Sequence, residues 1–126
     1  MAKREQYNVE IPINCSISVL YGLLATSSGL SEWFADKVDA IDDELHFHWD
    51  DSTDVALLLK EEENESVRYR WDWMDEDEYF EFNIETSSIT GETILHIVDF
   101  ADKGDEENQA NLWETQIDTL KRRVGA

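Results

Sequence analysis

The sequence predicts an α+β fold, a curved seven-stranded antiparallel sheet wrapped around a long C-terminal helix, in the order β-α-α-β-β-β-β-β-β-α. Three observations carry that expectation. From Lys37 to Phe100 apolar and polar residues alternate with the period of half-buried strands. Turn signals interrupt this stretch about every ten residues, the spacing of hairpins and not of parallel crossovers. Beyond it, Ala110, Trp113, Ile117, Leu120 and Val124 recur at spacings of three and four, which draws one apolar stripe along a helix.

Taken in order, Tyr7-Asn-Val-Glu-Ile-Pro-Ile13 alternates as a strand. Pro12, which cannot donate to a ladder, suits a strand end or an edge. Asn14 or Ser16 caps a helix expected to reach about Thr26, with Ile17, Leu20, Tyr21 and Leu24 on one stripe. Thr26-Ser-Ser-Gly29 is expected as a break. Ser28 or Ser31 then opens a short helical turn carrying Leu30, Trp33 and Phe34.

The sheet pattern starts with a short strand, Lys37 to Ile41, and a turn at Asp42-Asp43. Glu44 to Trp49 follows, with Leu45, Phe47 and Trp49 on one face. Asp50 to Asp54 is expected as the next turn, with Val55, Leu57 and Leu59 after it facing inward. Beyond the acidic turn from Glu61 to Asn64, Val67, Tyr69, Trp71 and Trp73 alternate with Arg68, Arg70 and Asp72. An acidic tip from Asp75 to Glu78 leads into Phe80, Phe82 and Ile84, set against Glu81 and Asn83. Glu92 to Phe100 is apolar on both faces, as in a strand covered on both sides. Gly104-Asp105-Glu106-Glu107 then supplies a break, a cap and acids at a helix N-terminus. Lys121-Arg122-Arg123 complements the other end of the dipole, and Gly125 stops the helix.

At 126 residues, 41% hydrophobic and 11% aromatic, residues 1–126 are expected to form a single domain with a substantial core. Acidic residues number 30 against 10 basic ones, a formal net charge of -20. That potential repels phosphate backbones and anionic bilayers, so nucleic acid and membrane insertion are not expected. Basic proteins and cationic ligands are drawn toward it, although solubility is the ordinary reason for such a surface. Cys15 has no partner for a disulfide and reads as a small core residue. No signal-peptide pattern and no apolar run of transmembrane length is present, so the expected location is the cytoplasm.

Several short stretches carry a resemblance. Thr26-Ser-Ser-Gly-Leu-Ser-Glu-Trp33-Phe34-Ala-Asp36 resembles the leucine–tryptophan–phenylalanine segment that follows the first helix in proteins like the activator of heat-shock-protein-90 ATPase. Gly91-Glu-Thr93-Ile-Leu95 is similar to the entry into that branch's last strand, and Leu112-Trp113 through Leu120-Lys121 to its closing helix. The element order is that of the START-like, helix-grip superfamily, and the resemblance spans roughly Tyr7 to Val124. It implies an apolar cavity between sheet and closing helix, of the kind that holds lipids, sterols, polyketides or hormones. Some branches of the superfamily are enzymes and others bind protein partners.

The residues expected to line a cleft are Trp33, Phe47, Trp49, Tyr69, Trp71, Trp73, Phe82, Leu95, Trp113 and Ile117. Phe80 and Ile97 share that face. Such rings form either an aromatic-walled site or a filled core. Polar handles are few: Tyr69, the indole N–H groups, and Asp99 near its strand end. The acids otherwise fall in turns, and His46 and His48 lie opposite the Leu45–Phe47–Trp49 face. The superfamily's strand order keeps His96 away from them, and Asp50–Asp54 lacks the ligand spacing and glycine of a calcium loop. No catalytic residue, metal or cofactor is therefore expected. Arg68 and Arg70 are expected to pair with Glu81 and Asn83 across the outer face. Ile94 and Val98 are expected to be exposed there, as a homodimer or protein-partner surface. The expected function is binding of an apolar small molecule or lipid. The alternative is a protein-interaction or chaperone-regulating domain with a filled core.

Overall fold

The computed structural model describes residues 4–125. The elements are β1 (Glu5–Pro12), α1 (Ile17–Ala25), α2 (Ser27–Trp33), β2 (Lys37–Ile41), β3 (Glu44–Trp49), β4 (Ser52–Glu62), β5 (Ser66–Trp71), β6 (Phe80–Thr86), β7 (Thr93–Ala101) and α3 (Glu106–Val124). The strands form one antiparallel sheet in the order β1-β7-β6-β5-β4-β3-β2. From β2 to β7 each strand pairs with its neighbour in the chain, as a run of hairpins must. β1 closes the sheet from the other end by pairing with β7. Pro12 is the last residue of that edge strand, where its missing N–H breaks no ladder.

Directly opposed residues of an antiparallel pair share a face, so the register sorts the sheet. Val9 and Ile11 oppose Ile97 and Leu95, Phe82 opposes Ile97 and Val67, and Tyr69 opposes Phe80 and Leu58. This is the inner face, and α3 lays Trp113, Ile117 and Leu120 against it, all buried. The Trp113 ring lies 5.5 Å from Phe82, 5.6 Å from Phe34 and 6.1 Å from Phe80, centre to centre. Large rings thus fill the space under the middle of the helix.

The register of β4 corrects the sequence expectation. Only Asp50 and Asp51 turn the chain, because Trp49 already pairs with Ser52. The inner face of β4 is then Asp54, Ala56 and Leu58, opposite Phe47, Leu45 and Tyr69. Leu57 and Leu59 point outward and are 37% and 38% exposed. Ala56, fully buried, leaves room for the large side chains on both flanking strands. A register shift between Leu58 and Lys60 makes Leu59 a bulge residue, and bulges bend a strand.

Other expectations change for local reasons. β5 stops at Trp71, so Trp73 leaves the alternation, lies in the following turn and is 55% exposed. Val98 does face outward but is only 6% exposed, since it lies between Asn8 and Glu81 and the Arg68–Glu81 ion pair flanks it. Arg68 meets Glu81 at 2.7 Å as expected. Arg70 instead donates to the backbone carbonyls of Glu78 (2.8 Å) and Glu76.

The break between the two short helices is a single extended residue, Thr26, and not the whole of Thr26-Ser-Ser-Gly29. Ser16 caps α1, its hydroxyl accepting from the Val19 N–H at 3.3 Å. The Thr26 hydroxyl donates to the Gly22 carbonyl at 2.7 Å and accepts from the Gly29 N–H at 2.9 Å. One side chain therefore closes α1 and caps α2, which begins at Ser27 and not at Ser28 or Ser31. Gly29 lies against α1 so closely that a Cβ there would sit 2.0 Å from the Gly22 oxygen and 2.7 Å from Leu23 Cα. Gly22 has open space around the same position.

That asymmetry predicts opposite signs for the same substitution. Gly29→Ala forces backbone apart and should lower stability by about 1–3 kcal/mol or more, whereas Gly22→Ala, in the interior of α1, should raise it by up to about 1 kcal/mol. Urea denaturation of the two variants checks both.

Candidate functional site

A cleft of about 340 Å³ opens where the first half of α3 passes over the end of the sheet. Phe34, Trp49, Trp71, Trp73, Met74, Leu112 and Trp113 provide its apolar wall. Arg4, Asp54, Asp99, Asp102, Asp105, Gln109 and Gln116 provide its polar groups. The indoles reach it for separate reasons. Trp49 and Trp71 end β3 and β5 on the inner face, Trp113 hangs from α3, and Trp73 stands at the rim after its strand has ended.

Four of the ten residues expected to line a cleft do so: Trp49, Trp71, Trp73 and Trp113. The other six, Trp33, Phe47, Tyr69, Phe82, Leu95 and Ile117, are enclosed in the core. Their location follows from packing. Trp33 lies 5.9 Å from Phe82, and Phe82 5.9 Å from Phe80, with Ile117 of α3 fully buried in the same cluster. Residues in the middle of a sheet meet partners from every side, whereas those at its end do not.

Most of the expected polar handles are also engaged. Tyr69 donates its hydroxyl to the Leu24 carbonyl at 2.8 Å. Trp33 donates to Leu23 O (2.7 Å) and Trp49 to Phe34 O (3.3 Å). Asp99, the carboxylate anticipated from the sequence, opposes Tyr7 on the inner face, lines the cleft and is engaged as well. Its Oδ2 accepts from the Tyr7 hydroxyl (3.1 Å) and from Trp113 Nε1 (3.0 Å), while Oδ1 accepts from the Phe100 N–H (2.8 Å). Burial pushes the Asp99 carboxyl above the ordinary aspartate value, outweighing the Phe100, Trp113 and Tyr7 donors that favour its charge. Burial and the neighbouring Asp99 push the Tyr7 phenol well above its usual range.

The acids are therefore not confined to turns, for Glu78, Glu81 and Asp99 are all buried. Glu78 folds back from the tip between β5 and β6. Its carboxylate takes both the Nε (3.0 Å) and a terminal nitrogen of Arg4, and it accepts from the Asp75 N–H at 2.9 Å. Burial alone would raise this carboxyl, but the Arg4 and Asp75 donors bring it below the ordinary glutamate range. The Arg4 guanidinium also lies 4.7 Å from the Trp73 ring centre, which fixes that indole at the rim. No sequence periodicity links Arg4 to residues more than sixty positions away.

On the outer face His46 contacts Glu44 (3.3 Å), and His48 contacts Asp39 (3.0 Å) and Thr53 (3.1 Å). Strand order keeps His96 apart from both. Among the described residues, Glu10, Glu85 and His96 place potential metal ligands within 4.8 Å of one another. Both ring nitrogens of His96 already have partners there, Glu85 at 3.1 Å and Asn8 at 2.9 Å. Cys15 is half-buried against the core, which pushes its thiol up. No helix among the described residues is long and apolar enough to cross a membrane.

The Asp99 environment has a measurable consequence. The folded protein holds this proton more tightly than the unfolded chain does, so protonation favours folding between the two values. As pH falls from 7 toward the ordinary aspartate range, the wild type should gain stability relative to Asp99→Asn. Parallel denaturant titrations of the two proteins at each pH would show whether the difference moves in that direction.

The fold has clear relatives. A solution structure from Bacteroides fragilis superposes with a TM-score of 0.69 at 28% identity, covering 98% of this chain and 93% of that one. The Aha1 dimer from Colwellia psychrerythraea is similar with a TM-score of 0.77 at 19% identity, covering 93% of each chain. A Mesorhizobium loti protein gives 0.75 at 17% identity, over 96% of this chain and 97% of its own. No curated protein matches the chain. The family model described as a START-like superfamily domain matches residues 1–126, and the chain belongs to that superfamily.

Proposed function

We propose that this domain binds a small apolar or aromatic molecule in the cleft beneath the first half of α3. The observation that carries the reading is the distribution of rings. The centre of the grip is packed solid, yet Trp49, Trp71 and Trp113 face an open space of about 340 Å³. Ligand pockets run from about 300 to 1,000 Å³, so this one suits a compact ligand and not a two-chain lipid. The role is one of binding and not of catalysis. Asp99, the most deeply buried acid in the cleft, is engaged by Tyr7 and Trp113, which orient it as part of the wall.

The neutral fluorescent probe N-phenyl-1-naphthylamine should bind saturably. Trp71→Ala should weaken it about tenfold, because a buried ring contributes on the order of 1.4 kcal/mol or more. Phe82→Leu, a change confined to the core, should leave the affinity within about twofold while lowering stability. Absence of saturable binding, or equal affinity in Trp71→Ala, would remove the basis of the reading.

A second reading, self-association or a protein partner on the same rim, draws on the exposure of Trp73 (55%) and Leu112 (58%) beside the cleft. The dimeric Colwellia relative adds to it. Light scattering across a concentration series separates the two: a monomer that still binds the probe favours the small-molecule reading, and a dimer lost in Trp73→Ser favours the second.

A further inference from the structure

The charge pattern inside the cleft narrows the class of ligand, given the reading above. Its charged lining comprises Arg4, Asp54, Asp99, Asp102 and Asp105. Arg4 is the one cationic side chain lining it among the described residues, and its guanidinium is held by Glu78 and the Trp73 face. Asp99 is held by Tyr7, Trp113 and the Phe100 N–H, and Asp105 by the side-chain amides of Asn108 (2.9 Å) and Gln109 (3.0 Å).

Asp54 differs from these. Register places it on the inner face, directly opposite the fully buried Phe47. Its diagonal neighbours on that face are Trp49 of β3 and Trp71 of β5. It is half-buried, and its carboxylate forms no hydrogen bond or ion pair among the described residues. An inner-face position in a sheet normally carries an apolar side chain, and the half-buried Asp54 carboxylate has no protein donor there. The neighbouring rings aggravate this, because the faces of indoles are themselves electron-rich. A cation placed between these groups would be attracted by the carboxylate and by the rings at once.

The geometry points to an organic ammonium ion with an apolar body as the ligand class. The body lies among Trp49, Trp71 and Trp113, and the charged nitrogen lies against the Asp54 carboxylate. The formal net charge of -20 works in the same direction, since it concentrates cations around the protein and repels anions. An anionic ligand is repelled by the carboxylate, and a neutral hydrocarbon of the same size leaves it unpaired.

Three probes of matched shape test this: benzyltrimethylammonium, its carbon isostere neopentylbenzene, and phenylmethanesulfonate, each displacing N-phenyl-1-naphthylamine. The cation should bind at least about tenfold tighter than the isostere, with the sulfonate weakest. Asp54→Asn should remove most of the cation's advantage over neopentylbenzene and change the affinity for neopentylbenzene far less. Added salt should weaken the cation alone. Equal affinities for cation and isostere, a preference for the sulfonate, or an Asp54→Asn variant that keeps the cation preference would overturn the charge inference while the apolar-ligand reading stands. Failure of the naphthylamine and all three probes to bind would end both. Should Asp54→Asn not fold, Asp54→Ser and the selectivity of the wild type decide the matter.

Discussion

The carboxylate of Asp99 receives hydrogen bonds from Tyr7 on β1, from Trp113 on α3 and from the backbone of β7 itself, and the open end of the domain is arranged around it. β1 comes from the start of the chain and α3 from its end. The ladder with β7 fixes β1, whereas apolar contact alone would hold α3, and such contact has little directional preference. Two directed hydrogen bonds on one oxygen fix the rotation of α3 about its axis and the position of the Trp113 ring. Once that ring is placed, Phe34, Phe80 and Phe82 have a common surface to pack on. The elevated carboxyl of Asp99 reflects the low-dielectric setting in which this is done.

Where the cleft lies follows from how the rings are distributed. In the middle of the sheet, Tyr69, Phe80 and Phe82 meet Trp33 and Ile117 from the helices, and the volume is used up. Toward the far end, α3 and its preceding loop overhang strands that are ending. Trp49 and Trp71 there have neighbours on one side and open space on the other. The filled core and the aromatic-walled cleft, which the composition left as alternatives, coexist at different heights of the same grip.

Much of the architecture was legible in the sequence because strand and helix periods are local properties. The limits of β2 and β3, the α3 stripe and the order of elements needed nothing beyond alternation, turn residues and the resemblance. The inner face of β4 was not legible: Val55, Leu57 and Leu59 form the more apolar set, but a two-residue turn at Asp50-Asp51 forces the other set inward. That same inversion turns Asp54 from a presumed turn residue into a wall of the cleft. Trp49, Trp71, Trp73 and Trp113 could be picked out as large rings on the expected face. Arg4, Met74, Gln109 and Leu112 could not, since their places depend on loops and on the azimuth of α3. Glu78 was missed for a related reason, as an acidic tip gives no local sign that one of its carboxylates folds back toward Arg4.

The division of labour along α3 carries one more consequence. Its deep anchors begin only with Trp113 and continue through Ile117 and Leu120, whereas Leu112 is exposed and no residue before Trp113 is fully enclosed. The first turns are held mainly by the Asp105 carboxylate and its amide partners. A helix end with few buried apolar contacts is where local opening costs least. The roof of the cleft is thus the least buried stretch of α3, held by polar contacts at its start, while burial of Ile117 and Leu120 ties the second half to the core.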